Sequence, residues 1–259
     1  MINMINKVST SDCLRYLRKL ENECVDLAVI DPPYNLKKAT WDTFKSEEEF
    51  LEFTFRWMTE IIRILKPTGS FYIFNTPYNC AHFLTFLVDQ GLQFRNWITW
   101  DKRDGFTSTK KKYNGGQETI LFFTKTDSYT FNADDIRVPY ESKQRIKHAE
   151  TKGILKDGER WYPNPAGKLC GEVWHISSER HKNKVDGKVV KMAHLTPKPS
   201  EMIERIIKAS SNTNDIVLDC FAGSGTTAVV AKQLNRSFLC CDSNKTYVAL
   251  TRKRLKQLQ

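Results

Sequence analysis

Phe221-Ala222-Gly223-Ser224-Gly225-Thr226-Thr227 separates a short apolar run, residues 215–220, from a helical pattern over 226–234. Another apolar run, 237–241, follows and stops at Asp242. Short runs of this kind, alternating with a helix, predict parallel strands, because a helical crossover brings the next strand back in the same direction. The chain must therefore contain a β-loop-α-β unit, with helices covering its sheet. Glycine has no β-carbon, so the backbone at 223 and 225 can approach a ligand closely and adopt torsions closed to other residues. Free N–H groups at the start of the following helix favour an anion, and Asp242 is placed to accept hydrogen bonds from ribose hydroxyls. These features describe a site for a nucleoside-containing cofactor. No lysine stands where triphosphate-binding loops carry one, and Ala228 replaces the third glycine of a dinucleotide loop. The turn alone leaves the cofactor open, as it leaves open a plain tight turn where helix meets sheet.

The same alternation occurs upstream. Residues 25–30 form an apolar run ended by Asp31-Pro32-Pro33, where proline removes backbone donors. Ser46 and Glu49 have capping-box spacing, and Phe50, Phe53, Trp57, Ile61, Ile64 and Leu65 recur at helical intervals. They predict a helix of about twenty residues that ends near 66–69. Strands are predicted over 70–74, 97–100 and 119–123, a helix over 81–88, and a further helix capped by Ser200 with Ile203, Ile206 and Ile207 on one face. The fold class is α/β, a mostly parallel twisted sheet with helices on both faces. Residues 133–191 lose periodicity and collect glycine, proline, aromatic and charged residues, so they are read as an insert. The expected organisation is 1–132, the insert 133–191, and 192–259, the first and third parts sharing one domain.

Charge narrows the partners. Lys and Arg number 40 against 30 Asp and Glu, a net +10, and residues 143–191 alone hold 12 basic against 6 acidic residues. Such a surplus draws in polyanions. No stretch reaches the roughly 18 to 20 consecutive apolar residues of a membrane span, and residues 1–10 show no leader pattern. The seven cysteines (Cys13, Cys24, Cys80, Cys170, Cys220, Cys240 and Cys241) are odd in number and form no C-x-x-C pair, against both a disulfide framework and a zinc cluster. A cytoplasmic location is expected, and no metal is implied.

Asp31-Pro32-Pro33-Tyr34 lies at the carboxyl end of a predicted strand, where open α/β sheets place ligands. A carboxylate and a proline-fixed carbonyl can hold the two hydrogens of an exocyclic amine, and the Tyr34 ring can stack on a flat heterocycle. Taken alone, the loop also reads as a proline turn with a partly buried tyrosine. Joined by His194-Leu195-Thr196-Pro197-Lys198-Pro199, and in this chain order, the two loops resemble the β-class DNA amino methyltransferases of bacterial restriction–modification systems, among them adenine methylases of the MboII type. The resemblance runs over almost the whole chain.

That resemblance implies a Rossmann-like, S-adenosylmethionine-dependent fold of permuted motif order, the target-amine loop preceding the cofactor loop and a target-recognition segment between them. It implies that Asp31, Pro32, Pro33 and Tyr34 act on the target. Around the cofactor it sets Asp12, Cys13, Asp31, Lys198, Phe221, Ala222, Gly223, Ser224, Thr226, Thr227 and Asp242. In that set Asp242 takes the ribose, Asp12 lies near the adenine amino group with Cys13 close by, and Lys198 meets the methionine carboxylate. Two positions depart from the family pattern: Asp242 stands for glutamate, and Ser11 for the glycine of a Gly-Asp-Cys segment.

The activity implied is methyl transfer to adenine N6 in double-stranded DNA, the target nucleotide flipped out of the helix and phosphates held by the insert and Lys110-Lys111-Lys112. Adenine is preferred to cytosine N4 because relatives acting on cytosine usually carry Ser in place of Asp31. Asp31 also argues against RNA or protein amide methylation, where related enzymes usually carry Asn. A non-catalytic nucleic-acid-binding module would leave both loops unexplained. The partners expected are duplex DNA and a cognate restriction endonuclease acting on the same site, with no membrane; monomer and homodimer both stay open. Trp41 and Phe44 read either as a flap or as side chains packed on a helix, the latter preferred. His148, His175 and His181 lack ligand-like spacing and are read as surface or phosphate contacts. Gln117-Glu118 begins a strand that in relatives lies near the target pocket.

Overall fold

The computed structural model describes residues 2–102, 110, 111, 113, 115–178, 184, 185, 188, 189 and 197–258. In chain order the first elements are β1 (Lys7–Thr10), α1 (Cys13–Leu17), β2 (Val25–Ile30), α2 (Glu47–Ile64), β3 (Leu65–Asn75), α3 (Pro77–Asp89), β4 (Gln93–Asp101) and β5 (Gln117–Thr124). Then come α4 (Lys143–Lys152), β6 (Ile154–Lys156), β7 (Glu159–Trp161), β8 (Val173–His175), β9 (Lys184–Val185) and β10 (Lys188–Val189). The last are α5 (Ser200–Ser210), β11 (Ile216–Asp219), α6 (Thr226–Gln233), β12 (Ser237–Asp242) and α7 (Lys245–Lys256).

Eight strands form the main sheet in the order β1-β12-β11-β2-β3-β5-β4-β8. Every neighbouring pair is parallel except the two made by β5. β2 is buried except at the half-buried Asp26, as a central strand covered on both faces must be. On one face Leu14, Leu17, Trp57, Ile61 and Phe83 join α1, α2 and α3 to the sheet. On the other, Ile203, Ile206, Ile207, Val230 and Val248 do so for α5, α6 and α7. Among the described residues no helix is long and apolar enough to cross a membrane.

Boundaries differ from the sequence reading where local chemistry is ambiguous. β3 starts at Leu65, directly after α2, so the Lys66-Pro67-Thr68-Gly69 turn lies within the strand, and its pairing with β2 shifts register between Val25 and Leu27. Ser46 caps α2 as expected, its oxygen accepting from the Glu49 N–H at 3.2 Å, while Glu49 accepts from the Lys45 N–H at 2.7 Å. Ser200 is the first helical residue of α5 and not its cap, a position taken by Pro199. Within 133–191, β6 and β7 form a hairpin turned by Asp157 and Gly158, both at positive φ, and β8 extends the main sheet beside β4.

The chain leaves β11 toward β12 in one direction and leaves β2 toward β3 in the other, yet β11 and β2 are neighbours. Between them lies the topological switch point, where the crossovers diverge and a crevice opens at the carboxyl ends of the strands.

Candidate active site

A cavity of about 620 Å³ occupies that crevice. Asp12, Cys13, Asp31, Pro32, Pro33, Tyr34, Lys198, Phe221, Ala222, Gly223, Ser224, Thr226, Thr227 and Asp242 all line it. They converge because β1, β2, β11 and β12 are parallel and adjacent, so each polar residue that closes an apolar strand reaches the same edge.

One half of the cavity is built from backbone. Gly225, at φ +77°, caps α6 in the left-handed conformation, and an added Cβ there would lie 2.1 Å from Thr251 Cγ2. The Gly223 N–H donates to Asp242 Oδ2 at 2.8 Å, and Asp242 Oδ1 accepts from the Asn244 N–H at 2.8 Å. Asp12 caps α1, accepting from the Arg15 N–H at 3.0 Å. Burial, with Asp12 beside it, pushes the Cys13 thiol up to about 12. Asp219, 4% exposed at the end of β11, accepts from the Phe221 N–H at 3.0 Å. Burial drives its carboxyl up to about 7, against the pull of bonds from Thr227 and Phe221 and with further push from Asp31 and Asp242.

The other half is a network of charged side chains. Asp31 Oδ1 accepts from Lys198 Nζ at 2.7 Å and lies 3.0 Å from the Tyr34 hydroxyl. The same hydroxyl lies 3.0 Å from Glu118 Oε2, so its one proton is shared between two carboxylates. Glu118 is flanked by Lys198, at 3.4 Å, and by Lys102. Burial would raise the Glu118 carboxyl, but the two ammonium groups overcome it and hold the group at about 2. Lys198 is nearly enclosed: burial opposes its charge, yet Asp31 and Glu118 keep its pKa above the usual lysine value. Its ammonium also lies 5.3 Å from the centroids of both Tyr34 and Phe74. The resemblance sets Lys198 against a methionine carboxylate; in the structure its ammonium meets the carboxylates of Asp31, in the target loop, and of Glu118, on β5.

Phe44 packs edge-on against Phe50 at 5.2 Å, whereas Trp41 stays 40% exposed at the cavity wall. His175 pairs with Asp101 at 2.9 Å, and His148 lies exposed on α4. His181, Lys112 and His194-Leu195-Thr196 lie outside the described residues. Sequence reasoning gave no role to Asp219, Asp42 or Lys102. The available signal was position, since Asp219, like Asp31 and Asp242, closes an apolar strand.

Residues 25–253 match a family described as DNA methylase. The type II methyltransferase M1.MboII of Moraxella bovis is 60% identical over 98% of this chain and 98% of its own length. The DNA adenine methyltransferase YhdJ of Escherichia coli (strain K12) is 34% identical over 98% of this chain and 83% of its own. Among solved structures, the M1.HpyAVI–SAM complex superposes with a TM-score of 0.61 at 24% identity, covering 96% of this chain and 98% of that one. The cytosine-N4-specific PvuII DNA methyltransferase does so with a TM-score of 0.70 at 18% identity, covering 95% and 85%. The last two show the shared fold.

Proposed function

Because the chain belongs to the DNA methylase family and is a DNA methyltransferase of the type II restriction–modification kind, we propose that it transfers a methyl group from S-adenosylmethionine to adenine N6 in duplex DNA. Methylation of its site would protect host DNA in the cytoplasm from a cognate endonuclease. When bound, the cofactor supplies an electrophilic methyl carbon on a sulfonium. The glycine-loop half has the donor set for it: N–H groups at the start of α6, a ring of small residues, and the carboxylates of Asp219 and Asp242 facing a cationic ligand.

One observation carries the target assignment. Among the described residues Asp31 is anchored through Oδ1, by Lys198 and Tyr34, which leaves Oδ2 for a substrate N–H. An exocyclic amine is a poor nucleophile because its lone pair is delocalised into the ring. Accepting its N–H groups at Asp31 Oδ2 and the Pro32 carbonyl favours the tetrahedral, electron-rich nitrogen of the transition state. Alignment of nitrogen, methyl carbon and sulfur supplies the remainder. A base inside the duplex cannot reach this crevice, so the nucleotide must be extruded, with the Tyr34 ring offering a stacking face. Support for adenine comes from Asp31 at the first position of the loop and from the similar adenine methyltransferase.

The test is transfer of labelled methyl groups from S-adenosylmethionine to duplex DNA by the purified chain, followed by digestion to nucleosides. N6-methyladenine is expected. Label in N4-methylcytosine overturns the base assignment, and label confined to RNA or protein overturns the substrate.

A further inference from the structure

Asp42 is 2% exposed, and among the described residues no lysine or arginine pairs with it. Its carboxylate is instead enclosed by backbone. Oδ1 accepts from the N–H groups of Tyr34 at 2.6 Å and Asn35 at 2.8 Å, and Oδ2 from those of Leu36 at 3.0 Å and Lys38 at 3.3 Å. The Lys37 N–H donates to the Asp42 carbonyl at 3.1 Å. Five successive amides, Tyr34 to Lys38, therefore end on one residue, an anion nest filled from within. The chain bends left-handed to do this, with φ of +58° at Asn35 and +57° at Lys37, a conformation lysine rarely adopts without compensation.

The opposite side of the same loop is also held. Asn79 Nδ2 donates to the Tyr34 carbonyl at 3.0 Å and to Asn75 Oδ1 at 2.6 Å, and Asn75 Nδ2 donates to the Pro33 carbonyl at 3.4 Å. Tyr34 is thus fixed at its N–H by Asp42 and at its carbonyl by Asn79. Pro32 and Pro33 have no N–H to give. Of the backbone groups from Pro32 to Tyr34, the Pro32 carbonyl alone takes none of these bonds.

We propose that Asp42 is a positioning residue for the target amine: by gathering the amides of residues 34–38 it sets the direction of the Pro32 carbonyl and the reach of the Tyr34 hydroxyl to Asp31. The proposal rests on the reading of the Asp31 loop as the target-amine site. Asp42 lies in the cavity wall, but its two carboxylate oxygens are taken by these amides and it acts through Tyr34, so its loss changes turnover and not cofactor capture. A misplacement near 1 Å costs about a hundredfold in rate.

The experiment compares wild type with Asp42→Ala and Asp42→Asn. Expected are a kcat about a hundredfold lower for Asp42→Ala and about tenfold lower for Asp42→Asn, which keeps one acceptor oxygen. The S-adenosylmethionine Kd should stay within about threefold of wild type in both. Hydrogen exchange of a peptide spanning residues 33–44 should quicken in both variants while α5 and α6 keep their protection. A kcat within twofold of wild type in both, or unchanged exchange of that peptide, overturns the proposal. So does unfolding of both variants, or a parallel fall in cofactor affinity, since either assigns Asp42 a merely structural part. An inactive wild type would instead sink the methyltransferase reading, and the exchange measurement would still decide whether Asp42 holds the loop.

Discussion

Asp219 and Glu118 are carboxylates in the wall of one cavity, yet they lie on opposite sides of the ordinary carboxylate range, at about 7 and about 2. Burial opposes ionisation in both, so the difference lies in their neighbours. Around Asp219 stand hydrogen-bond donors and two further carboxylates, Asp31 and Asp242. Around Glu118 stand the ammonium groups of Lys198 and Lys102. Among the described residues no lysine or arginine forms an ion pair with Asp219 or Asp242 in the glycine-loop half, whereas in the target half Asp31 and Glu118 are balanced by two lysines. This matches the ligands of the proposed reaction: a cationic methyl donor would complete the first half, while a neutral base enters a half already neutral within itself.

If the halves are chemically distinct, removing a group from one should leave the other working. Asp31→Ala is the severest case. Turnover should fall about a thousandfold or more, while cofactor affinity, read by calorimetry, stays within a few-fold. Wild-type turnover by this variant would break the comparison at its target side.

Lys198→Met is next. It strips Asp31 and Glu118 of their shared cation, and breaking a buried pair in this way costs about 3–5 kcal/mol, which a denaturant titration will show. Cofactor affinity should change little. If affinity collapses while stability holds, Lys198 belongs with the donor, as the family resemblance implied, and the boundary between the halves must be redrawn. Gly225→Ala attacks the other side. A Cβ 2.1 Å from Thr251 Cγ2, on backbone at φ +77°, should destabilise by about 2–4 kcal/mol. Cofactor affinity should weaken with it, while the Asp31 side keeps its geometry; loss of cofactor binding without loss of stability would argue against steric strain.

The parts legible in the sequence are those whose backbone meaning is local. Proline after Asp31 ends a strand wherever it occurs, and Gly225 sits at a positive φ that its neighbours could not adopt cheaply. The meeting of the two loops needs β2 beside β11, a pairing of residues some 190 positions apart that no periodicity encodes. The Lys198–Glu118 contact is likewise non-local, joining residues 80 positions apart. β1 and α1 span four and five residues, too short for a pattern to emerge. Asp42 is near Tyr34 in sequence, but a carboxylate that gathers five amides has no spacing rule of its own.

Asp219→Asn makes the smallest change and tests the comparison most directly. The folded Asp219 carboxyl titrates near 7, above the 3.8 of an unstrained aspartate. Between those values the folded chain keeps a proton that the unfolded chain has lost, so this group makes the protein less stable as pH rises from about 4 to 7, with the full cost above 7. Glu118 runs the other way: its contribution is complete above its ordinary value of 4.5 and fades only as pH falls toward 2, so it does not confound that window. Asparagine cannot ionise and can still accept from the Phe221 N–H. The Tm of Asp219→Asn, matched to wild type near pH 4, should therefore exceed it at pH 8. A cationic donor favours the ionised carboxylate, so S-adenosylmethionine affinity should climb with pH through 7 in wild type and stay flat in the variant. Calorimetry near pH 6 in buffers of different ionisation enthalpy reads the proton released on binding. Equal release from both proteins would mean that the charge waiting in the cofactor half is not carried by Asp219.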